Sequence, residues 1–408
     1  MNSMEAHLNF SLPQGARLHL GVCGSVAAFR ALDLLRHWQA CGVSVSATLT
    51  PSARRFVTPL SLEALGASPV YGDMFDANAD PFAHLEAGRI AKAMVIAPVT
   101  ASTLARLAHG LADEMLACQA LAHHGPLVLA PAMNPRMWSH PATQASVALL
   151  TERGAHFVLP ESGSVACGDE GQGRLADIRE IYLAGLKALC PQDMAGIRAL
   201  ITLGPTREQW DAVRFWSNPS SGLMGAAFAV TAWLRGAEVD AVCGPGSPWL
   251  PAGIRRHDIA GAGQMFDVTQ ALWPSAHCGV FTAAVADFSP EPYGHEKFKK
   301  SEAAEGFSIK FAPNPDILQT LAAQRRPDQK LVGFAAETVD DLGAAVRRKL
   351  RGKGADIVVG NRIGQEGAGF GAPTNTVHVV DVAGREEEWH LMPKTEIAWR
   401  VCSWLLQL

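Results

Sequence analysis

Residues 17–49, RLHLGVCGSVAAFRALDLLRHWQACGVSVSATL, decide the fold of the first half of the chain. Residues 17–22 read as a strand. The turn Gly21-Val-Cys-Gly24-Ser25 leads into a helical pattern in which Val26, Phe29, Leu32 and Leu35 recur every three residues on one face. Gly42 ends the helix, and residues 43–49 alternate as a second strand. This is a βαβ unit, the signature of a parallel α/β sheet. A helix that opens on a Gly-Ser turn presents free N–H groups and the positive end of its dipole, which favour a phosphate.

The turn is not GxGxxG, and the second strand runs into Thr48, Thr50 and Ser52 with no acid to clamp a dinucleotide ribose. A mononucleotide phosphate, as in FMN, suits such hydroxyl-lined turns, with Gly24, Ser25 and Thr50 as candidates. The strand at 93–97 runs into PVTAST, where Thr100, Ser102 and Thr103 open a helix bearing Leu104, Leu107 and Leu111. Those hydroxyls read either as helix caps or as a phosphate or flavin-edge site. The apolar strand at 127–130 breaks at Pro131 into Ala132-Met133-Asn134-Pro135-Arg136-Met137-Trp138. Asn134 is then an N-cap or a site residue beyond a strand end. His84 precedes the 93–97 strand. Residues 163–174, GSVACGDEGQGR, have little to bury and read as a mobile flap. A cysteine there, Cys167, points to chemistry, because exposed thiols are a liability.

Four of these stretches, Gly24-Ser25, His84-Leu-Glu, PAMNPRMW and Ala166-Cys-Gly-Asp169, together resemble the flavin-dependent cysteine decarboxylases, above all the phosphopantothenoylcysteine decarboxylases. The resemblance implies a flavodoxin-like domain whose FMN, bound around Gly24, Ser25, Thr50, Thr100, Thr103 and Met133, acts as the electron sink for loss of CO₂. It implies that Cys167 returns a proton, that Asn134 holds the substrate carboxylate, and that His84 positions the substrate or assists proton transfer. Two places depart from the family pattern: Ser102 replaces an asparagine, and Gly88, Ile90 and Lys92 replace leucine, tryptophan and aspartate.

Composition sets the outer bounds. With 408 residues, 48% hydrophobic and 18% charged, the chain has room for two cores. A net charge of −4 gives no general pull toward nucleic acid or an anionic membrane. The eight cysteines form no CxxC and no cluster of zinc spacing, which fits reduced thiols in a cytoplasm. No signal peptide or membrane span is read, and residues 1–15 read as a loose tail.

Residues 190–196, CPQDMAG, read as a linker, after which the pattern restarts. A strand at 197–203 meets Gly204-Pro-Thr-Arg-Glu208; a helix spans 223–234 and a strand 238–243. Arg207, Arg214 and the run NPSSGLMG from Asn218 to Gly225 place cations, hydroxyls and glycines before that helix, as an anionic phosphate substrate requires. Residues 278–288 read as a buried strand ending in Asp287. Lys297 lies in the polar run EKFKK, and Asn314-Pro-Asp-Ile317 starts a helix. Residues 376–382 and 387–392 read as an antiparallel hairpin, followed by a terminal helix over 394–406.

This half resembles the phosphopantothenate–cysteine ligases through GPTRE, DAVRFWSNPSSGLMG, AAVADF, KFKK, NPDI and GFAAET. The resemblance implies a Rossmann-like domain that activates a carboxylate with CTP and Mg²⁺. Asn218 would hold the reacting carboxylate and Lys297 the phosphate charge. Phe281, Thr282, Ala283, Asp287, Lys297, Pro315, Asp316, Ile317, Leu318, Phe334, Lys349 and Lys353 match nucleotide-binding positions. The metal ligands are not identified. Leu223 stands where the family usually has lysine, and Trp210 replaces a common proline-aliphatic turn.

The expectation is therefore two doubly wound, mostly parallel α/β domains: a tail at 1–15, a flavoprotein domain at 16–189, a linker at 190–196 and a ligase domain at 197–408. The expected function is ligation of cysteine to 4′-phosphopantothenate with CTP, then FMN-dependent decarboxylation to 4′-phosphopantetheine. The expected assembly is flavin-domain trimers joined through ligase-domain dimers. Two alternatives are a decarboxylase with an inactive ligase half and a non-catalytic regulatory relative. Retention of His84, Asn134 and Cys167 argues against the latter.

Overall fold

The computed structural model describes residues 4–75, 80–164, 168–299, 306–337, 341–362, 367, 369 and 371–408. The chain divides into two compact units, Ser11–Pro191 and Met1–Phe10 with Gln192–Leu408.

The first unit is a parallel sheet of β1 (Arg17–Val22), β2 (Ser44–Leu49), β3 (Val70–Tyr71), β4 (Ala93–Val99), β5 (Leu127–Pro131) and β6 (His156–Phe157), ordered β3-β2-β1-β4-β5-β6. Without the two-residue edge strand β3, the order is that of flavodoxin; with it, that of a Rossmann sheet. The order reverses between β1 and β4. Every residue of β4, AMVIAPV, is buried, as a strand covered on both faces demands. Its helices are α1 (Arg30–Ala40), α2 (Pro59–Ala64), α3 (Ala83–Ile90), α4 (Ala101–His109), α5 (Met115–Leu121), α6 (Pro135–Trp138), α7 (Pro141–Glu152) and α8 (Ile178–Leu189). The turn after β1 is a 3-10 segment, Val26–Phe29, capped by Ser25, before α1 begins.

The glycine-rich run expected as a flap has paired arms. β7 (Glu161–Ser164) and β8 (Glu170–Arg174) form an antiparallel hairpin. Its glycines serve close approach: a Cβ at Gly173 would lie 2.3 Å from the Met133 carbonyl oxygen. The backbone N–H of Met133 donates to the Gly173 carbonyl at 2.9 Å.

The second unit carries an eight-stranded sheet, β13-β12-β9-β14-β17-β18-β19-β20. In chain order its strands are β9 (Arg198–Leu203), β10 (Arg207–Gln209), β11 (Phe215–Ser217), β12 (Glu238–Cys243), β13 (Arg255–Asp258), β14 (Cys278–Phe281), β15 (Phe288–Pro290), β16 (Phe311–Pro313), β17 (Lys330–Glu337), β18 (Ile357–Arg362), β19 (Thr374–Asp381) and β20 (Glu386–Pro393). Within the sheet β13, β12, β9, β14, β17 and β18 pair in parallel, and β19 and β20 add the expected antiparallel hairpin. β10 with β11 and β15 with β16 are separate short hairpins. The helices are α9 (Leu223–Leu234), α10 (Ala262–Leu272), α11 (Ile317–Gln324), α12 (Leu342–Lys353) and α13 (Lys394–Leu405).

Two sequence expectations are corrected here. The strand expected over 278–288 ends at Phe281, because Thr282 turns its hydroxyl back to the Thr202 carbonyl at 2.7 Å. Asp287 is thus an exposed loop residue rather than the end of a buried strand. Nor are residues 4–10 loose. Leu8 is fully buried, Phe10 nearly so, and the His7 ring bonds the Trp249 carbonyl at 2.8 Å within the second unit. Those apolar residues gave no periodic signal, being too few to show one.

Candidate active sites

In the first unit the hydroxyl-bearing residues gather at the carboxyl ends of β1, β2 and β4. Ser25 caps its 3-10 turn by accepting from Ala27 N–H at 3.3 Å, and its hydroxyl reaches the Ala132 carbonyl at 3.4 Å. Thr50 accepts from Ala53 N–H at 3.2 Å, and Thr100 caps α4. Buried Thr103 accepts from the Cys23 thiol at 3.2 Å, and burial pushes that thiol up to about 11. Cys23 is therefore a neutral donor at physiological pH. Gly24 permits the close approach of two loops: a Cβ there would lie 2.5 Å from Ser52 Cβ. The site thus offers hydroxyls and backbone amides, a donor set that fits a phosphate monoester at the point where strand order reverses. The capping reading of the sequence is observed directly at Ser25 and Thr100.

Asn134 is likewise both a cap and a contact. Its Oδ1 accepts from Arg136 N–H at 2.8 Å, capping α6, while Nδ2 donates to Asp169 Oδ2 at 2.6 Å. Arg136 stands 3.7 Å from the other Asp169 oxygen, and Trp138 Nε1 donates to Gln172 at 3.1 Å. The loop after β5 is therefore fastened to the hairpin that bears Asp169. Cys167 lies outside the described residues. His84 is half-buried on α3. No hydrogen bond or ion pair among the described residues joins it to Asn134 or to the hydroxyl cluster.

The second unit repeats the arrangement. Its strand order reverses between β9 and β14, and Gly204 and Thr282 follow those strands. α9 begins there on Gly222, whose φ of 69° favours glycine. A Cβ at Gly225 would lie 2.4 Å from Leu203 Cβ, so the helix start is pressed onto the sheet. Ser220, Ser221, Gly222, Leu223, Thr282 and Lys394 line a cleft at this point. Asn218 is half-buried and donates to the Val285 carbonyl at 3.0 Å.

The remaining ligase candidates divide by burial. Phe281 and Ile317 are core residues, 8% and 5% exposed. Leu318 packs against the same core, and Phe334 stacks edge-on against Phe228 at 5.5 Å. Asp316 caps α11 and pairs with Lys353; Lys349 pairs with Glu337 at 3.1 Å. The two lysines, one turn apart on α12, are thus each paired with a carboxylate while remaining partly exposed. Ala283 N–H donates to the Thr202 hydroxyl at 3.4 Å. Pro315 and Lys297 are exposed. The loop carrying Lys297 is anchored by its neighbour: Phe298 N–H donates to Asp211 Oδ2 at 3.1 Å, and Arg214 to the Phe298 carbonyl at 3.3 Å. Lys394 was not singled out from the sequence, because a lone lysine carries no spacing signal, and Asp211 entered only as the first residue of DAVRF, with no role assigned. Among the described residues no three His, Cys, Asp or Glu side chains cluster as a metal site.

Residues 11–186 match the Flavoprotein family, and residues 194–408 match the DNA/pantothenate metabolism flavoprotein C-terminal domain. The coenzyme A biosynthesis bifunctional protein CoaBC of Bacillus subtilis (strain 168) is 36% identical over 387 residues, 94% of each chain. The chain belongs to the CoaBC family. The CoaBC protein of Escherichia coli (strain K12) is 37% identical over 369 residues, 90% of each chain. A crystal structure of the C-terminal domain of a CoaBC protein is 33% identical, covering 53% of this chain and 97% of that one, with a TM-score of 0.45. The two switch-point sites described above fall one in each CoaBC family region.

Proposed function

We propose that this chain performs both steps of a CoaBC protein: phosphopantothenate–cysteine ligation in the second unit, then decarboxylation of the 4′-phosphopantothenoylcysteine in the flavoprotein unit. The observation that supports the reading is that Gly24, Ser25, Thr50 and Thr100 in one unit, and Gly204, Gly222 and Thr282 in the other, lie past the carboxyl ends of strands about the point where the strand order reverses.

In the flavoprotein unit, bound FMN supplies the electron sink that a cysteine carboxylate lacks. The chain's own residues do the rest. Gly24, Ser25, Thr50, Thr100 and Thr103 hold the flavin phosphate and edge, and Met133 lies beside the flavin. Asn134 orients the substrate carboxylate, and its bond to Asp169 ties that carboxylate's position to the hairpin. Cys167 delivers the final proton, and the hairpin excludes water. His84 positions the substrate. In the ligase unit, CTP activates the pantothenate carboxylate as an acyl-cytidylate, which the cysteine amine attacks. Asn218 holds that carboxylate and Lys297 offsets phosphate charge in the transition state. Mg²⁺ fits as a companion of the triphosphate, since such ions bind through substrate phosphates and few protein ligands.

Trimers of the flavoprotein unit are supported by exposed Phe75, Phe82 and Leu85; dimers of the ligase unit rest on family likeness. No helix among the described residues is long and apolar enough to cross a membrane. Seven described cysteines are free thiols, which supports a reducing compartment such as the cytoplasm.

Purified protein tests the proposal. It should be yellow, release a single burst of pyrophosphate with CTP and 4′-phosphopantothenate, sustain that release only when cysteine is added, and then evolve CO₂. Cys167→Ser should release CO₂ in one turnover and accumulate the oxidised ene-thiol. Normal 4′-phosphopantetheine output from that variant refutes the proton-donor role. Absence of pyrophosphate release refutes the ligase.

A further inference from the structure

Lys394 is a buried cation with no carboxylate paired to it among the described residues. It is the first residue of α13, only 4% exposed, and it lines the cleft at the start of α9 together with Ser220, Ser221, Gly222, Leu223 and Thr282. Its Nζ donates to the Gly369 carbonyl at 3.0 Å. That satisfies one of three donors, and no ion pair engages it among the described residues. Burying an ammonium without an opposite charge is unfavourable, and here burial lowers Lys394 to about 8. An anion arriving in the cleft offsets that cost.

The rest of the cleft is suited to an anion. Gly222 has no side chain to cap α9, and α9 itself, LMGAAFAVTAWL, carries no charge. Position 223, lysine in the family pattern, is leucine here, so the helix start lacks a cation of its own.

We infer that Lys394 supplies from α13 the positive charge that binds a phosphate group at the amino end of α9. The inference rests on the ligase reading and names a binding residue for it. The phosphate has two possible sources, the triphosphate of CTP or the monoester of 4′-phosphopantothenate, and both meet the same requirement for a cation beside free helix amides.

Calorimetric titration of the full-length, flavin-loaded protein with CTP alone and with 4′-phosphopantothenate alone separates the sources. Lys394→Met should weaken one of the two by about 10- to 100-fold, the scale of a charge-assisted hydrogen bond. Lys394→Arg should stay close to wild type. Leu223→Lys placed in the Lys394→Met background should recover most of the loss, which a merely structural lysine would not allow. A wild-type chain that binds neither ligand overturns the ligase reading and this inference with it. A wild type that binds while Lys394→Met binds equally well overturns this inference alone. Should Lys394→Met unfold the ligase unit, the doubly substituted chain decides: folding with restored binding supports the assignment, and failure to fold overturns it.

Discussion

A single amide, Asn134, illustrates how one side chain can serve shape and chemistry together. Asp caps a helix about as well as Asn, so Asn134→Asp should leave α6 in place and cost the flavoprotein unit only a few degrees of thermal midpoint, about 2–4 °C per kcal/mol in a unit of this size. It also sets a carboxylate against Asp169 where an amide now donates at 2.6 Å. Decarboxylation should fall by roughly 100-fold, the scale of like charges forced together, while pyrophosphate release by the ligase holds. Equal loss of both activities would show that the amide is only structural. His19 gives a second residue-level expectation. Burial, with His123 adding to it, lowers this histidine to about 3, and its Nδ1 pairs with the Ser46 hydroxyl at 2.8 Å. The folded chain therefore stays unprotonated at His19 from pH 6.5 down to about 3, whereas the unfolded chain takes up a proton. Stability is lost progressively as pH falls through that window and is retained in full above it. Melting curves of wild type and His19→Gln between pH 7 and 5 should diverge, the wild type being the steeper; parallel curves would rule the effect out.

Among the elements, long regular segments were readable from sequence and short ones were not. α9 spans Leu223–Leu234 and β12 Glu238–Cys243, both as expected, because α9 is a nearly unbroken apolar run, β12 opens on the alternation Glu238-Val239-Asp240-Ala241, and glycines stand near their boundaries. β10, β11, β15 and β16 each have three residues, too few for any alternation to register. The glycines of β7 and β8 suggested freedom, yet Gly173 is there so that a strand can lie against the Met133 carbonyl. The hydroxyl cluster was legible because Thr and Ser at strand ends have a local meaning; the burial of Lys394 was not, because it depends on residues far away in the chain. One element-scale expectation concerns the β10–β11 hairpin. Asp211, fully buried, accepts from Val213, Arg214 and Phe298 N–H groups, and Trp210 stacks on Phe307 at 5.3 Å. Together they fix the loop that presents Lys297. Asp211→Asn should raise the KM for CTP about 10-fold through loss of charge-assisted bonds and leave decarboxylation unchanged. An unaltered KM would show that the loop is ordered by its aromatic contacts alone.

At the scale of the whole chain, the ligase unit is discontinuous in sequence. The flavoprotein unit, Ser11–Pro191, is inserted into the ligase unit, which owns Met1–Phe10 as well as Gln192–Leu408. Leu8→Ala should therefore destabilise the ligase unit by about 2–5 kcal/mol and lower its melting transition by roughly 4–20 °C. Flavin release on heating should stay where it is, although residue 8 precedes the flavoprotein segment in sequence. A shift of the flavin transition instead would contradict the placement of residue 8.

That insertion bears on how the chain can be made and cut. During synthesis residues 4–10 emerge well before the helices α9 and α13 that they pack against, so Leu8 and Phe10 must wait, uncovered, while some 180 residues of flavoprotein unit are assembled behind them. Anyone severing the gene between the two units would hand the ligase piece a bare apolar notch, to be filled by grafting residues 4–10 onto its front or by supplying them as a separate peptide.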